Sequence, residues 1–112
     1  MKLTVNVYAD PGHSWAAIKR HKAIEIMKIH FADISNFSYQ RGKTIYLEED
    51  DDFPLFVSCA KAEKIKLDIC HHHTNRVSQI RNYASFDPNC NDVYSILRLI
   101  EDDSTCLQQA KN

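Results

Sequence analysis

The sequence predicts an α+β domain: a small, mostly antiparallel sheet of about five strands in the order β-β-α-β-β-α-β, helices on one face, and a further C-terminal helix. Three observations lead there. "KLTVNVYA" and "KIKLDIC" alternate apolar and polar residues with period 2. Turn residues, "DPG" and "RG", sit where hairpins need them. Between these runs lie stretches whose apolar residues recur at helical spacing.

The first strand is Lys2 to Ala9, with Leu3, Val5 and Val7 on one face and Thr4, Asn6 and Tyr8 on the other. Asp10-Pro11-Gly12 ends it, because proline presets φ and glycine tolerates positive φ. "HSWAAIKR" reads two ways. It is a returning strand, with Trp15 and Ala17 opposite Ala16 and Ile18, or the start of a helix capped by Ser14. The preceding turn favours the strand. A helix follows from about Arg20 to about Ile29, with Ala23, Ile26, Met27 and His30 on its stripe and Lys22, Glu25 and Lys28 in solvent.

"ISNFSYQRGKTIYLEE" is a hairpin. With Arg41-Gly42 as its loop, Tyr39 pairs with Thr44 and Phe37 with Tyr46 on one face. Ser38 with Ile45 and Asn36 with Leu47 take the other. Both faces carry bulky residues, so the pattern leaves open which is buried. In "DDDFPLFVSCAKAEKI" Asp52 is the expected N-cap of a second helix, Pro54 lies in its first turn, and Phe53, Phe56, Val57 and Ala60 form its stripe. Lys64 to Cys70 is a fifth strand. Residues 71–91 read as an irregular polar loop. A last helix starts at Asp92 with Val93, Ile96, Leu97 and Ile100 on its stripe. One domain over 1–101 and a polar tail over 102–112 are expected.

Composition narrows the function. Hydrophobic residues make up 44% of 112 and charged residues 26%, values ordinary for a globular domain. No apolar run approaches the ~20 residues of a membrane span. The N-terminus lacks the apolar region of a signal peptide, so a cytoplasmic location is expected and the cysteines are expected as free thiols. Residues 1–47 hold seven Lys/Arg against three acids, and 48–52 are five acids in a row. The net charge of −1 is too balanced for a protein that binds nucleic acid by charge alone. "EEDDD" lacks the glycine and spaced acids of a calcium loop and suits a helix N-terminus.

"DICHHHTNR", Asp68 to Arg76, is the candidate metal site. On a strand, Cys70 and His72 point one way and His71 and His73 the other. Cys70 and His72 can therefore supply two of the four ligands of a zinc ion, with Cys59 as a third and Cys90, His13 or His30 as a fourth. No pair has the usual zinc spacing. The plainer reading is a strand end with exposed histidines. The chain is expected to need no cofactor, zinc being the one exception the residues leave open.

The candidate partner-binding residues are Phe37, Tyr39, Arg41, Lys43 and Tyr46 on the hairpin, with Arg76 and Arg81 in the loop. Aromatics flanked by cations can anchor a protein or stack bases. The alternative is that this hairpin face is the core. No motif with a catalytic mechanism is present: no G-x-S-x-G, phosphate loop, dinucleotide fingerprint or H-E-x-x-H. His13, Ser14 and His21 do not form a triad pattern, so the expectation leans away from an enzyme.

At "DPGHSW", "SYQRGKTIYLEEDDD", "HTNR" and "IRNY", over roughly residues 1–83, the chain resembles small accessory proteins of bacteriophages and bacterial mobile elements. The resemblance implies a setting and no catalytic residues: a bacterial host cytoplasm, and action by binding a host macromolecule, a defence system among the targets. A host protein is the first expected partner. A nucleic acid is the second, and a small metal-binding protein or metalloenzyme using Cys70 and His72 the third. No membrane partner is expected. The last helix offers a surface on which two copies can pair.

Overall fold

The computed structural model describes residues 1–89. In chain order they form β1 (Lys2–Ala9), β2 (Ser14–Lys19), α1 (Arg20–Met27), a 3-10 helix (Lys28–Asp33), β3 (Tyr39–Arg41), β4 (Thr44–Glu48), α2 (Asp52–Ala62), β5 (Lys66–His73), a second 3-10 helix (Gln79–Asn82) and β6 (Ala84–Ser85). The six strands make one sheet in the order β5-β1-β2-β4-β3-β6. All neighbours are antiparallel except β1 and β5. The fold is thus the predicted α+β class, with one more strand than expected. The last helix, pairing of copies through it, and the boundary at 101/102 lie outside the described residues.

Alternation sorts the side chains of the sheet. Val5 and Val7 of β1, Ala16 and Ile18 of β2, and Ile45 and Leu47 of β4 form one cluster with Ala23, Ile26 and Met27 of α1 and Phe56 and Ala60 of α2. Ile45, Leu47 and Phe56 are 0% exposed. Burying a side chain of that size contributes about 1.5–3 kcal/mol. The alanines at 16, 23 and 60 let the helices lie close to the strands.

Three local readings need correction. The hairpin pairs Tyr39 with Tyr46, Gln40 with Ile45 and Arg41 with Thr44, so the loop is Gly42-Lys43. Gly42 takes φ +59°, and a II′ turn wants that glycine first of its two residues. The register moves by two residues, which leaves Tyr39 and Tyr46 on their shared face. Phe37 precedes the strand, in a turn.

Helix α1 stops at Met27, because Lys28 takes φ +55°. His30 is exposed, and Phe31 reaches the core in its place. At the start of α2, Asp52 does not cap. Its carboxylate turns inward and accepts from the Ser35 N–H, the Ser35 hydroxyl at 2.7 Å and the Ser38 hydroxyl at 2.6 Å. Glu48 does the capping, accepting from the backbone N–H of Asp50, Asp51 and Asp52. Partial burial works against its charge, but those three donors outweigh it and hold the carboxyl below the usual carboxylate range.

The stretch 71–89 is also more ordered than read. Strand β5 continues to His73, and β6 pairs with β3. Buried Arg20 fixes the chain beyond β6. Its guanidinium donates to the carbonyl of Asp87 at 2.8 Å and lies over the rings of Phe31 and Phe86.

Candidate functional site

With Ile45 and Leu47 in the core, the aromatic face of the hairpin is the other face of the sheet, away from both helices. The register brings more aromatics to it than the hairpin alone supplies. Tyr8 pairs with Trp15 and with His72. Ala17 pairs with Asn6 on one side and Tyr46 on the other. Tyr8, Trp15, Tyr39, Tyr46 and His72 therefore share one surface, with Arg41 at its edge.

The loop after β5 crosses part of this surface, and Asp10 holds it there. The Asp10 side chain is wholly excluded from solvent and pairs with Arg81, Nε to Oδ2 at 2.7 Å and Nη2 to Oδ1 at 2.9 Å. It also accepts from the backbone N–H of Gly12, His13 and Ser78. The Arg81 guanidinium, followed by the Ser78 N–H, keeps the Asp10 carboxyl far below the usual carboxylate range, against the effect of burial. A bidentate, fully hydrogen-bonded pair is the arrangement in which a buried carboxylate is tolerated. It explains the "DPG" turn, whose Gly12 leaves no room for a Cβ: Arg81 Nη2 lies 2.8 Å from where one would sit.

Arg81 then covers Trp15, at 5.3 Å from the ring centre, and Trp15 is only 3% exposed. Tyr39 meets Trp15 edge-on at 6.2 Å. Tyr83 packs on Tyr46 at 5.1 Å, and Arg41 lies over Tyr83 at 5.0 Å. Burial, with Tyr83 and Tyr8 alongside, pushes the Tyr46 hydroxyl above its ordinary pKa.

The sequence candidates thus divide. Arg41 and Phe37 are exposed, Phe37 to 74%. Lys43 lies in the turn. Tyr39 and Tyr46 are half-buried under the loop. Arg76 is exposed, whereas Arg81 is committed to Asp10. Trp15, Tyr8 and Tyr83 were missed. The period-2 reading of "HSWAAIKR" already placed Trp15 beside Ala17, but nothing in the sequence said that this face stays outside the core.

Between the loop and the sheet lies a groove of about 760 Å³, lined among others by Asn6, Tyr8, Ala17, Tyr46, His72 and Tyr83. Its volume falls in the range of sites for small ligands. Among the described residues no Asp or Glu lines it, while Lys19, His21, Lys22, His72 and His73 do.

Cys70 and His72 do share this face. His72 stacks on Tyr8 at 4.9 Å, with its Nε2 3.0 Å from Asn6 Oδ1. Cys59 packs against the core cluster on the helix side of the sheet, so it cannot join them. Among the described residues no three His, Cys, Asp or Glu side chains converge as a metal site. Near the "DPG" turn, Glu49 accepts from the Ser14 hydroxyl at 2.8 Å and lies 3.3 Å from His13 Nδ1. The serine thus meets the carboxylate and not the imidazole, which is not the order a nucleophile and its base require.

The sequence matches no family model, curated protein or solved structure at a significant level. No helix among the described residues is long and apolar enough to cross a membrane.

Proposed function

We propose that the chain is a binding protein of the phage-accessory kind, acting in the cytoplasm of a bacterial host. Its partner is a host protein, a component of a defence system being the leading target class. One observation carries the reading: Phe37, a large aromatic, stands 74% exposed beside a hairpin whose apolar residues Ile45 and Leu47 are fully buried. The core has no use for Phe37. Arg41, exposed at the far end of the short strand that Phe37 precedes, adds the residue type that accompanies aromatics at the centre of protein interfaces.

The test is capture of the tagged full chain from a bacterial host, with mass spectrometry of what co-elutes. A stoichiometric host protein that survives nuclease and high salt is expected. The doubly substituted Phe37→Ala/Arg41→Ala chain should lose it while keeping its circular dichroism spectrum. Equal capture by both chains would remove the hairpin from the interface.

A further inference from the structure

The groove under the 74–83 loop presents a charge pattern that the fold does not call for. Lys19, Arg20, His21 and Lys22 are four basic residues in a row at the start of α1. A helix N-terminus carries partial positive charge and favours acids. Here the first turn has none, and no side chain among the described residues caps it. Arg20 has its own task, holding the Asp87 carbonyl. The other three line the end of the groove. Lys22 meets Glu25 at 3.4 Å, a carboxylate outside the groove lining. A local choice that opposes the fold signals a function where no compensating contact is found, and among the described residues none faces Lys19 or His21. An anion in the groove would supply that compensation.

The rest of the groove says what else the ligand carries. Ala17 is its floor, the small residue in a row between Asn6 and Tyr46. Tyr8 stands over one side, stacked with His72, and Tyr46 over the other, packed on Tyr83. Flat rings on either side of a small residue accept flat rings between them. Phosphate next to unpaired planar bases is the chemistry of a nucleic-acid single strand.

We propose that this groove binds single-stranded nucleic acid, the bases stacking on Tyr8 and Tyr46 and the phosphates meeting Lys19, His21 and Lys22. This site is separate from the exposed hairpin edge and does not rest on the protein partner proposed there.

Fluorescence anisotropy with labelled single-stranded DNA and RNA oligonucleotides, against a duplex of the same sequence, tests it. The full chain should bind a single strand at low salt and prefer it to the duplex. Tyr8→Ala should weaken binding by about 5- to 150-fold, the loss of one base stack. Lys19→Glu/Lys22→Glu, at two positions outside the core cluster, should lower the salt-dependence slope by about 1.4, or ~0.7 for each phosphate contact. Phe37→Ala should bind the strand as the parent does, which keeps failure here apart from failure of the protein-partner reading. Absence of binding at low salt, equal binding of duplex, or indifference to both groove variants would overturn the proposal. Displacement by a free mononucleotide at the same concentration as the strand would also overturn it, in favour of a nucleotide site.

Discussion

The two faces of the sheet are built on different principles. The helix face is apolar and close-packed, with Ile45, Leu47 and Phe56 sealed from water. The opposite face is aromatic and polar, and its cover is a loop held by one carboxylate, Asp10, through Arg81 and three backbone donors. The first face depends on burying area, so any residue that leaves a hole weakens the whole domain. The second depends on a few polar and ring contacts centred on Asp10, so failure at Asp10 should be local. A face with Trp15, Tyr39, Tyr46 and Tyr83 in it, yet with a groove left open, is arranged for contact.

The largest effect should come from the core. Phe56→Ala should cost about 3–5 kcal/mol, read as a lower urea midpoint with little change in slope. A loss below about 1 kcal/mol would mean that α2 is not seated as described. Next is Asp52→Ala. It strands the Ser38 hydroxyl, which is 0% exposed, and the Ser35 N–H, at about 1–3 kcal/mol for each donor left without an acceptor. Asp52→Asn keeps an acceptor and should fall between the parent and the alanine variant.

Asp10→Asn sharpens the comparison between the faces. It should raise hydrogen exchange and protease cutting in the 74–83 loop while α1 and α2 stay protected. Equal loosening of both faces would contradict a local node. The same carboxylate sets a pH response. Its folded pKa lies below the unfolded one, so its contribution is complete at neutral pH, begins to fall as pH drops below about 4, and is lost as pH falls through the folded value. Glu48 acts in the same direction. Parent stability should therefore decline below pH ~4, and Asp10→Asn should flatten that decline.

The smallest effect is chemical. Burial first, then the nearby Asp33 and Glu63 charges, push the Cys59 thiol up, and Cys59 is half-buried, whereas Cys70 is exposed. Peptide mapping after brief alkylation should find Cys70 modified well before Cys59. The reverse order would place Cys59 outside the core.

How far the sequence reaches follows the same division. Period-2 alternation grouped Val5, Val7, Ile18, Ile45 and Leu47 on one face or the other of their strands, and helical stripes found Ala23, Ile26, Met27, Phe56 and Ala60. Those patterns are local, and they were enough for the fold class. Asp10 meeting Arg81 was not legible, because the two are 71 residues apart and neither residue type announces its partner. Nor was the exposure of Tyr39 and Tyr46, since each hairpin face carried bulky residues and only tertiary packing chooses between them. Asp52 misled for a related reason. A cap and a buried acceptor look the same in sequence, and Glu48 took the capping role from four residues upstream.

The most direct test sets the hairpin edge against the helix surface in a single capture experiment. Phe37→Ala/Arg41→Ala alters the exposed edge of the hairpin, and Lys61→Glu alters the exposed surface of α2. The hairpin variant should lose the host protein while Lys61→Glu retains it at parental stoichiometry. Loss of the partner with Lys61→Glu, and its retention by the hairpin variant, would put the binding surface on the helices and contradict the assignment of binding to the hairpin edge.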